Sequence, residues 1–259
     1  MKRGFLRRPK QGNRLAQIIF VTGTDTGAGK TLLTALLLHH LRRGGCHALA
    51  MKPFCSGGSH DVDLLSELQA GELSREEICP FYFTEPLAPL LAARKHRRQI
   101  LPDEVLERIR AVQTRCEYLL IEGSGGLMVP LGENFFVADL ISQLDCNVLV
   151  AAQNKLGVIN HTLLTWSVLA LYRVARIKIA LLGCKRSDLS AGANARILGE
   201  LLAPMKVIRL PFLGVRADTA RGVKRNCRKI KKTLALMLDF ATFRPLFITN
   251  SRKAVRKDC

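Results

Sequence analysis

No stretch of this chain approaches the ~20 consecutive apolar residues that a membrane-spanning helix needs. The longest runs, around residues 32–38 and 177–183, are short and bounded by His or by Lys and Arg. Paired cysteine spacing is also missing. The eight cysteines, at 46, 55, 79, 116, 146, 184, 227 and 259, form no C-x-x-C pair and gather no histidines. That pattern excludes a zinc framework and a disulfide scaffold, and predicts reduced thiols in a reducing compartment. There is no Pro- or Ser-rich linker, no internal repeat, and no low-complexity tract besides the basic ends. The N-terminus, MKRGFLRRPKQGNRLAQ, lacks the apolar core of a secretory signal. It is Arg-rich and acid-free like an organellar transit peptide, but poor in Ser, and the expected location is cytoplasmic.

Acids are nearly absent from both ends. Residues 1–17 carry six basic residues and no acid, and residues 216–259 carry thirteen basic and three acidic ones. The stretch between them holds 21 basic and 18 acidic residues, so most of the net +19 sits in the tails. Those tails hold few aromatics (Phe5, Phe240, Phe243, Phe247) and no groove-reading motif, so they read as solvated basic ends rather than nucleic-acid arms. What is plentiful is apolar residue, 48% of 259, enough for one sizeable core.

Short apolar runs alternate with helical patterns. Strands are expected at 17–22, 47–53, 118–122, 147–151, 178–182 and 206–210. Helices are expected at 30–43, 61–70, 102–116, 156–173 and 191–202. This rhythm predicts an α/β fold: a doubly wound, mostly parallel sheet in one domain, of the P-loop NTPase type. The expected boundaries are a basic N-terminal extension (1–16), a nucleotide-binding domain (17–215) and a basic C-terminal region (216–259). Ligands of such sheets collect at the carboxyl ends of the strands, where the unusual residues of this chain also fall.

The first strand runs into Gly23-Thr24-Asp25-Thr26-Gly27-Ala28-Gly29-Lys30-Thr31 and then a helix. Glycines let successive N–H groups point into one concavity, and the helix N-terminus adds partial positive charge, which together make a polyphosphate socket. Lys30 supplies a cation for the outer phosphates, and the Thr31 hydroxyl can ligate a bridging magnesium ion. The spacing departs by one from the usual loop, because the expected first glycine falls on Thr24.

Other candidates lie at later strand ends. Glu122 closes an apolar strand and is followed by Gly123-Ser124-Gly125-Gly126, which form either a phosphate contact or a plain turn. Asp61 and Asp63 open a helix, as metal ligands or as first-turn acids. Lys52 ends the second strand with Ser56-Gly57-Gly58 close behind, and a lysine there is costly unless it meets an anion. Lys185 and Arg186 follow another strand and are also explained as a solvated basic turn.

The runs GTDTGAGKT, MKPFCSG, EPLAP, IEGSGGLMVPL and NKLGVINH resemble, in order and spacing, the dethiobiotin synthases of the biotin pathway, over about residues 18–214. The resemblance implies a homodimeric ligase with ATP as co-substrate and Mg2+ as cofactor. It implies closure of a ureido ring on diaminopelargonic acid with CO2 or bicarbonate, through a carbamate and a carbamic-phosphoric anhydride. By the same resemblance Thr26, Lys30, Lys52 and Ser56 hold the carbamate and the moving phosphoryl group. Thr31, Asp61 and Glu122 carry the metal, with Asp61 favoured over Asp63 by the residue that follows it. Gly27, Ala28, Gly29, Lys30, Thr31 and Leu32, with Glu122, Gly123, Ser124 and Gly125, contact the triphosphate. Leu210, Pro211 and Phe212 flank the base. Gly157, Val158, Ile159 and Asn160 receive the substrate carboxylate from the partner subunit, which puts active sites at the dimer interface.

One departure stands out. Relatives offer an Asn to the adenine edge where this chain has Lys185-Arg186, and lysine has donors but no acceptor. Relaxed nucleotide selectivity is the expectation. Competing readings are a partition-type P-loop switch ATPase that binds nucleic acid through the basic tails, and an inactive relative of the ligase. An amidoligase of corrinoid synthesis would need a further domain with a nucleophilic Cys. The partition reading lacks the lysine such proteins carry early in the loop, where this chain has Thr24-Asp25-Thr26.

Overall fold

β1 (Gln17–Gly23, QIIFVTG) is buried from its second residue onward, because it pairs in parallel on both sides and presents apolar side chains to both faces. The computed structural model describes residues 15–240, and everything below refers to them. Along the chain follow α1 (Lys30–Arg43), β2 (Ala48–Met51), β3 (Phe54–Ser56), α2 (His60–Leu68), α3 (Arg75–Ile78), β4 (Phe81–Phe83), α4 (Pro89–Lys95) and α5 (Pro102–Gln113). Then come β5 (Tyr118–Glu122), β6 (Pro130–Gly132), β7 (Phe135–Phe136), α6 (Val137–Ser142), β8 (Cys146–Gln153), α7 (Val158–Leu171) and β9 (Ile177–Leu182). A 3-10 turn (Leu189–Gly192), α8 (Asn194–Leu201), β10 (Val207–Leu210), α9 (Ala220–Lys229) and α10 (Lys231–Leu238) complete it.

Six strands form one sheet in the order β10-β9-β8-β1-β5-β2, and every pairing is parallel. These are the six strands expected from the sequence, and helices flank them in a single domain. Two minor two-stranded sheets, β3–β4 and β6–β7, lie outside it. The register decides where function can sit. Val21 pairs with Glu122 across β1–β5, and Met51 pairs with Ile121 across β2–β5. Lys52, one residue past Met51, therefore comes level with Glu122, beside the loop that leaves β1.

The region expected to be basic from residue 216 onward consists, as far as residue 240, of α9 and α10 packed on the same core. Val223, Cys227, Ile230, Leu234 and Met237 recur every three or four residues and are all buried. Lys178 of β9 fastens the end of α10: its ammonium donates to the carbonyls of Leu236 and Asp239 and lies 5.0 Å from the Phe240 ring centroid. A cation there meets the negative end of the helix. The expected N-terminal extension, apart from Leu15 and Ala16, lies outside the described residues, as do residues 241–259.

Candidate active site

α1 begins without a side-chain cap and without an acid in its first turn. Its N-cap, Gly29, has φ 96°, and a Cβ there would meet Leu182 Cδ2 at 2.4 Å, so glycine is required on both counts. The first-turn N–H groups are thus left for an external anion. The loop ahead of them is pinned: Gln153 Nε2 donates to Gly27 O at 2.8 Å, and Lys30 Nζ donates to Asp25 O at 2.9 Å.

Beside this loop lies a buried charge cluster. Glu122, at the end of β5, is 1% exposed. Its Oε1 accepts from Thr31 Oγ1 at 2.7 Å and from Lys52 Nζ at 2.6 Å, while Oε2 is buried without a partner. Lys52 Nζ also meets Asp61 Oδ2 at 2.8 Å. Ser56 Oγ, on β3, is a second buried polar atom without a partner. Asp63 is held instead by Ser59 Oγ and Arg75, so of the two acids it is Asp61 that lies against Lys52.

The electrostatics follow from burial and proximity. Burial pulls the Lys30 ammonium down from its ordinary value, Glu122 pulls it up and Lys52 pushes it down again, with a result of about 8. Burial acts on Lys52 in the same direction, but Glu122 and Asp61 outweigh it, and its pKa is raised. Burial raises the Asp61 carboxyl, yet the charge and hydrogen bond of Lys52, with a bond from Thr31, bring it below the ordinary value. At neutral pH Lys52 and Asp61 are both charged.

These groups line one cavity of about 950 Å³, together with Thr26, Gly27, Gly29, Leu32, Ser124, Gly125, Lys185 and Phe212. Ala28, Gly123, Arg186, Leu210 and Pro211 do not line it, nor do Gly157, Val158, Ile159 and Asn160. Ala28 is buried, and Gly123 sits where a Cβ would approach Phe20 to 2.9 Å. Gly157 N-caps α7, with φ 89°. Sequence reasoning assigned no role to a further set of wall residues: Cys55, His60, the stretch Pro86–Pro89, Val129 and Asp218. His60 and Asp218 face each other at 3.4 Å across 158 positions of sequence, and no motif signals such a pair. The EPLAP run did signal the wall at Pro86–Pro89.

The cavity carries three lysines and three carboxylates, so it has little net charge of its own to offer a triphosphate. A divalent cation would supply the difference. Among the described residues no three His, Cys, Asp or Glu side chains are grouped to hold a metal unaided. A phosphate-bound magnesium ion needs only one or two carboxylates. The hydroxyl of Thr31, the carboxylates of Asp61 and Glu122, and the orphaned Glu122 Oε2 fit that requirement.

The basic run at 94–98 is largely neutralised on the surface. Arg94 pairs with Glu133, Lys95 and His96 with Glu85, and Arg98 with Glu104. No helix among the described residues is long and apolar enough to cross a membrane.

A family profile described as an AAA domain matches residues 17–213. Among solved structures, a chain of the MinC:MinD cell division protein complex of Aquifex aeolicus superposes with a TM-score of 0.58 at 15% identity, over 87% of this chain and 97% of that one. That likeness is one of fold. Sequence relatives go further. The ATP-dependent dethiobiotin synthetase BioD of Anaeromyxobacter sp. (strain Fw109-5) is 40% identical over 74% of this chain and 90% of its own length. The protein of the same name from Anaeromyxobacter dehalogenans (strain 2CP-C) is 36% identical over 86% and 99%. Identity at that level along nearly the whole of both relatives leaves one assignment: the chain is an enzyme of the dethiobiotin synthetase family.

Proposed function

We propose that the chain makes dethiobiotin by ATP-dependent ring closure of diaminopelargonic acid with carbon dioxide. One substrate amine takes up carbon dioxide as a carbamate. A carbamate oxygen attacks the terminal phosphorus of ATP, the bond to ADP breaks, and a carbamic-phosphoric anhydride forms. The second amine attacks its carbonyl, loses a proton and expels phosphate, which closes the ring. The observation that carries this reading is the convergence of Lys30, Lys52 and Glu122 on one cavity behind the phosphate loop.

Phosphoryl transfer asks the protein for alignment and charge neutralisation rather than covalent help. Lys30 follows the transferred group from the mouth of α1. Lys52 stays protonated and offers its charge to the carbamate. Thr26 and Ser56 offer hydroxyls on either side, and the Ser56 hydroxyl lacks any partner within the protein. Gly27, Ala28, Gly29, Thr31, Leu32, Gly123, Ser124 and Gly125 cradle the phosphates. Thr31, Asp61 and Glu122 would hold magnesium, which when bound neutralises the phosphate oxygens. Leu210, Pro211 and Phe212 flank the base, with Lys185 and Arg186 in place of an amide, so ATP, CTP and GTP are expected to support turnover at similar rates. A strong preference for ATP refutes that part.

The working unit is a homodimer. Leu156, just ahead of α7, and Leu164 and Leu171 along it are 80%, 59% and 78% exposed, apolar surface suited to a second copy. Gly157, Val158, Ile159 and Asn160 at its start, outside their own chain's cavity, are then free to serve the partner's substrate carboxylate. The seven cysteines among the described residues are free thiols, in keeping with work in the cytoplasm.

The test is phosphate release from ATP by the purified chain with magnesium, bicarbonate and the diamine, with dethiobiotin identified by mass. Release that requires the diamine supports the reading. Release indifferent to the diamine and stimulated by DNA would replace it with a switch ATPase.

A further inference from the structure

The cation already inside the charge cluster is an ammonium group. Lys52 Nζ lies 2.6 Å from Glu122 Oε1 and 2.8 Å from Asp61 Oδ2, so it bridges the two carboxylates assigned above to the metal. Glu122 Oε1 accepts from both Thr31 and Lys52, which engages both of its lone pairs. Only Oε2 remains open. With Lys52 in place, a second cation at this pair of acids would compete for Glu122 Oε1 and Asp61 Oδ2, and would face a like charge.

Among the described residues, the polar contacts of the Lys52 ammonium are those two acids. Its backbone is fixed, with N–H donating to Ile78 O at 2.8 Å, while four rotatable bonds lie between backbone and charge. The same wall carries Ser56, whose unpartnered hydroxyl marks where an anionic substrate group would be received.

We propose that Lys52 is a resident counter-ion: it occupies the metal position in the empty site and leaves for the substrate anion when a divalent cation enters. The proposal rests on the reading of Asp61 and Glu122 as metal-holding residues. It makes Lys52 a coupling device as well as a carbamate contact. Without an anionic ligand to receive it, Lys52 opposes metal binding. With one, metal and anion each favour the other, and the coupling is reciprocal. The empty site thereby satisfies two buried acids without a metal.

The experiment measures Mn2+ binding to the full chain without nucleotide, by the loss of the free-ion paramagnetic resonance signal. Lys52→Met is expected to bind Mn2+ about fivefold or more tightly than the unaltered protein. Lys52→Arg is expected to stay as weak as the unaltered protein. Lys185→Met removes the same charge from the cavity wall without touching either acid, and is expected to change affinity less than Lys52→Met. Equal or weaker binding by a folded Lys52→Met, or no binding by any of the proteins, overturns the proposal. So does an equal gain in Lys185→Met.

If Lys52→Met does not fold, Lys52→Gln replaces it. If neither folds, the unaltered protein decides: with lysine labelled at Cε, the Lys52 resonance, assigned by its absence from Lys52→Arg, must move when saturating Mg2+ is added together with ADP, bicarbonate and the diamine. A stationary resonance overturns the exchange. Dethiobiotin formation without competition at Lys52 refutes the exchange and leaves the reaction standing, whereas competition without product refutes the reaction alone.

Discussion

Raising the pH from 7 to 9 should weaken nucleotide binding about tenfold, and the cause is Lys30. In the nucleotide-free protein its pKa is about 8, lowered first by burial and then by Lys52, against the opposing pull of Glu122, Asp25 and Asp61. About nine tenths of the molecules therefore carry the proton at pH 7 and about one tenth at pH 9. Phosphates beside the ammonium favour its charged form, so the complex binds more protons than the empty site above pH 8. Affinity then falls as pH rises through that value, by about 1.4 kcal/mol over the interval. The phosphates of ADP complete their ionisation below this window, near pH 6–7, and do not supply the effect. Calorimetric titration with ADP in excess EDTA, in two buffers of different ionisation enthalpy, reads both quantities at once. Proton uptake should climb from about 0.1 per ADP at pH 7 to about 0.9 at pH 9. Lys30→Arg keeps its charge throughout and should flatten both curves. Constant affinity with no proton uptake in the unaltered protein would falsify the account of Lys30.

Three further outcomes follow from packing. A Cβ at Gly222 would lie 2.0 Å from Arg216 O and 2.9 Å from Ala217 O, so Gly222→Ala should cost about 1–3 kcal/mol in urea unfolding. Gly199, inside α8, has nothing within 4 Å of that position, and Gly199→Ala should gain about 0.5–1 kcal/mol in the same assay; a gain at Gly222 together with a loss at Gly199 would refute the argument. Lys178→Met strips the end of α10 of a charged donor to two carbonyls, and should lower stability by about 2 kcal/mol, with thermal melting as the readout and an unchanged melting temperature as the refutation. Leu164→Glu puts a charge on the exposed edge of α7; light scattering should find monomers that still bind ADP but turn over poorly, and intact dimers would move the interface elsewhere.

How much of this was visible in the sequence varied with the kind of signal. Lys30 and Glu122 were legible because each ends or follows an apolar strand, and parallel strands bring their carboxyl ends to one edge. Lys52 was legible for the same reason, since a lysine closing a buried strand demands an anion. The helical pattern by itself did not separate Asp61 from Asp63, because two positions along a helix differ by more than half a turn and only packing says which face turns inward; the family resemblance was what favoured Asp61. β3 and β4, three residues each, are too short for any period to register. α9 and α10 were hidden by charge. Their apolar stripe at 223, 227, 230, 234 and 237 has helical spacing, but the basic residues between made the segment read as a solvated tail. The His60–Asp218 contact left no trace in either local pattern.

The strand order explains why the charged residues converge and why the fold tolerates them. β5 lies between β1 and β2, so Glu122 has the phosphate loop on one side and Lys52 on the other. Burying a carboxylate so deeply beside an apolar sheet is costly unless it is paired and hydrogen-bonded. Thr31 from one neighbour and Lys52 from the other each satisfy the same oxygen, and the second oxygen is left bare. A purely structural acid would have both oxygens engaged. Lys52, meanwhile, is among the groups that weaken the hold of Lys30 on its proton. The site therefore holds a carboxylate oxygen and a Ser56 hydroxyl that nothing among the described residues engages, beside a lysine whose hold on its proton is weakened. Each is a feature that the proposed metal-bound triphosphate and anionic substrate would meet.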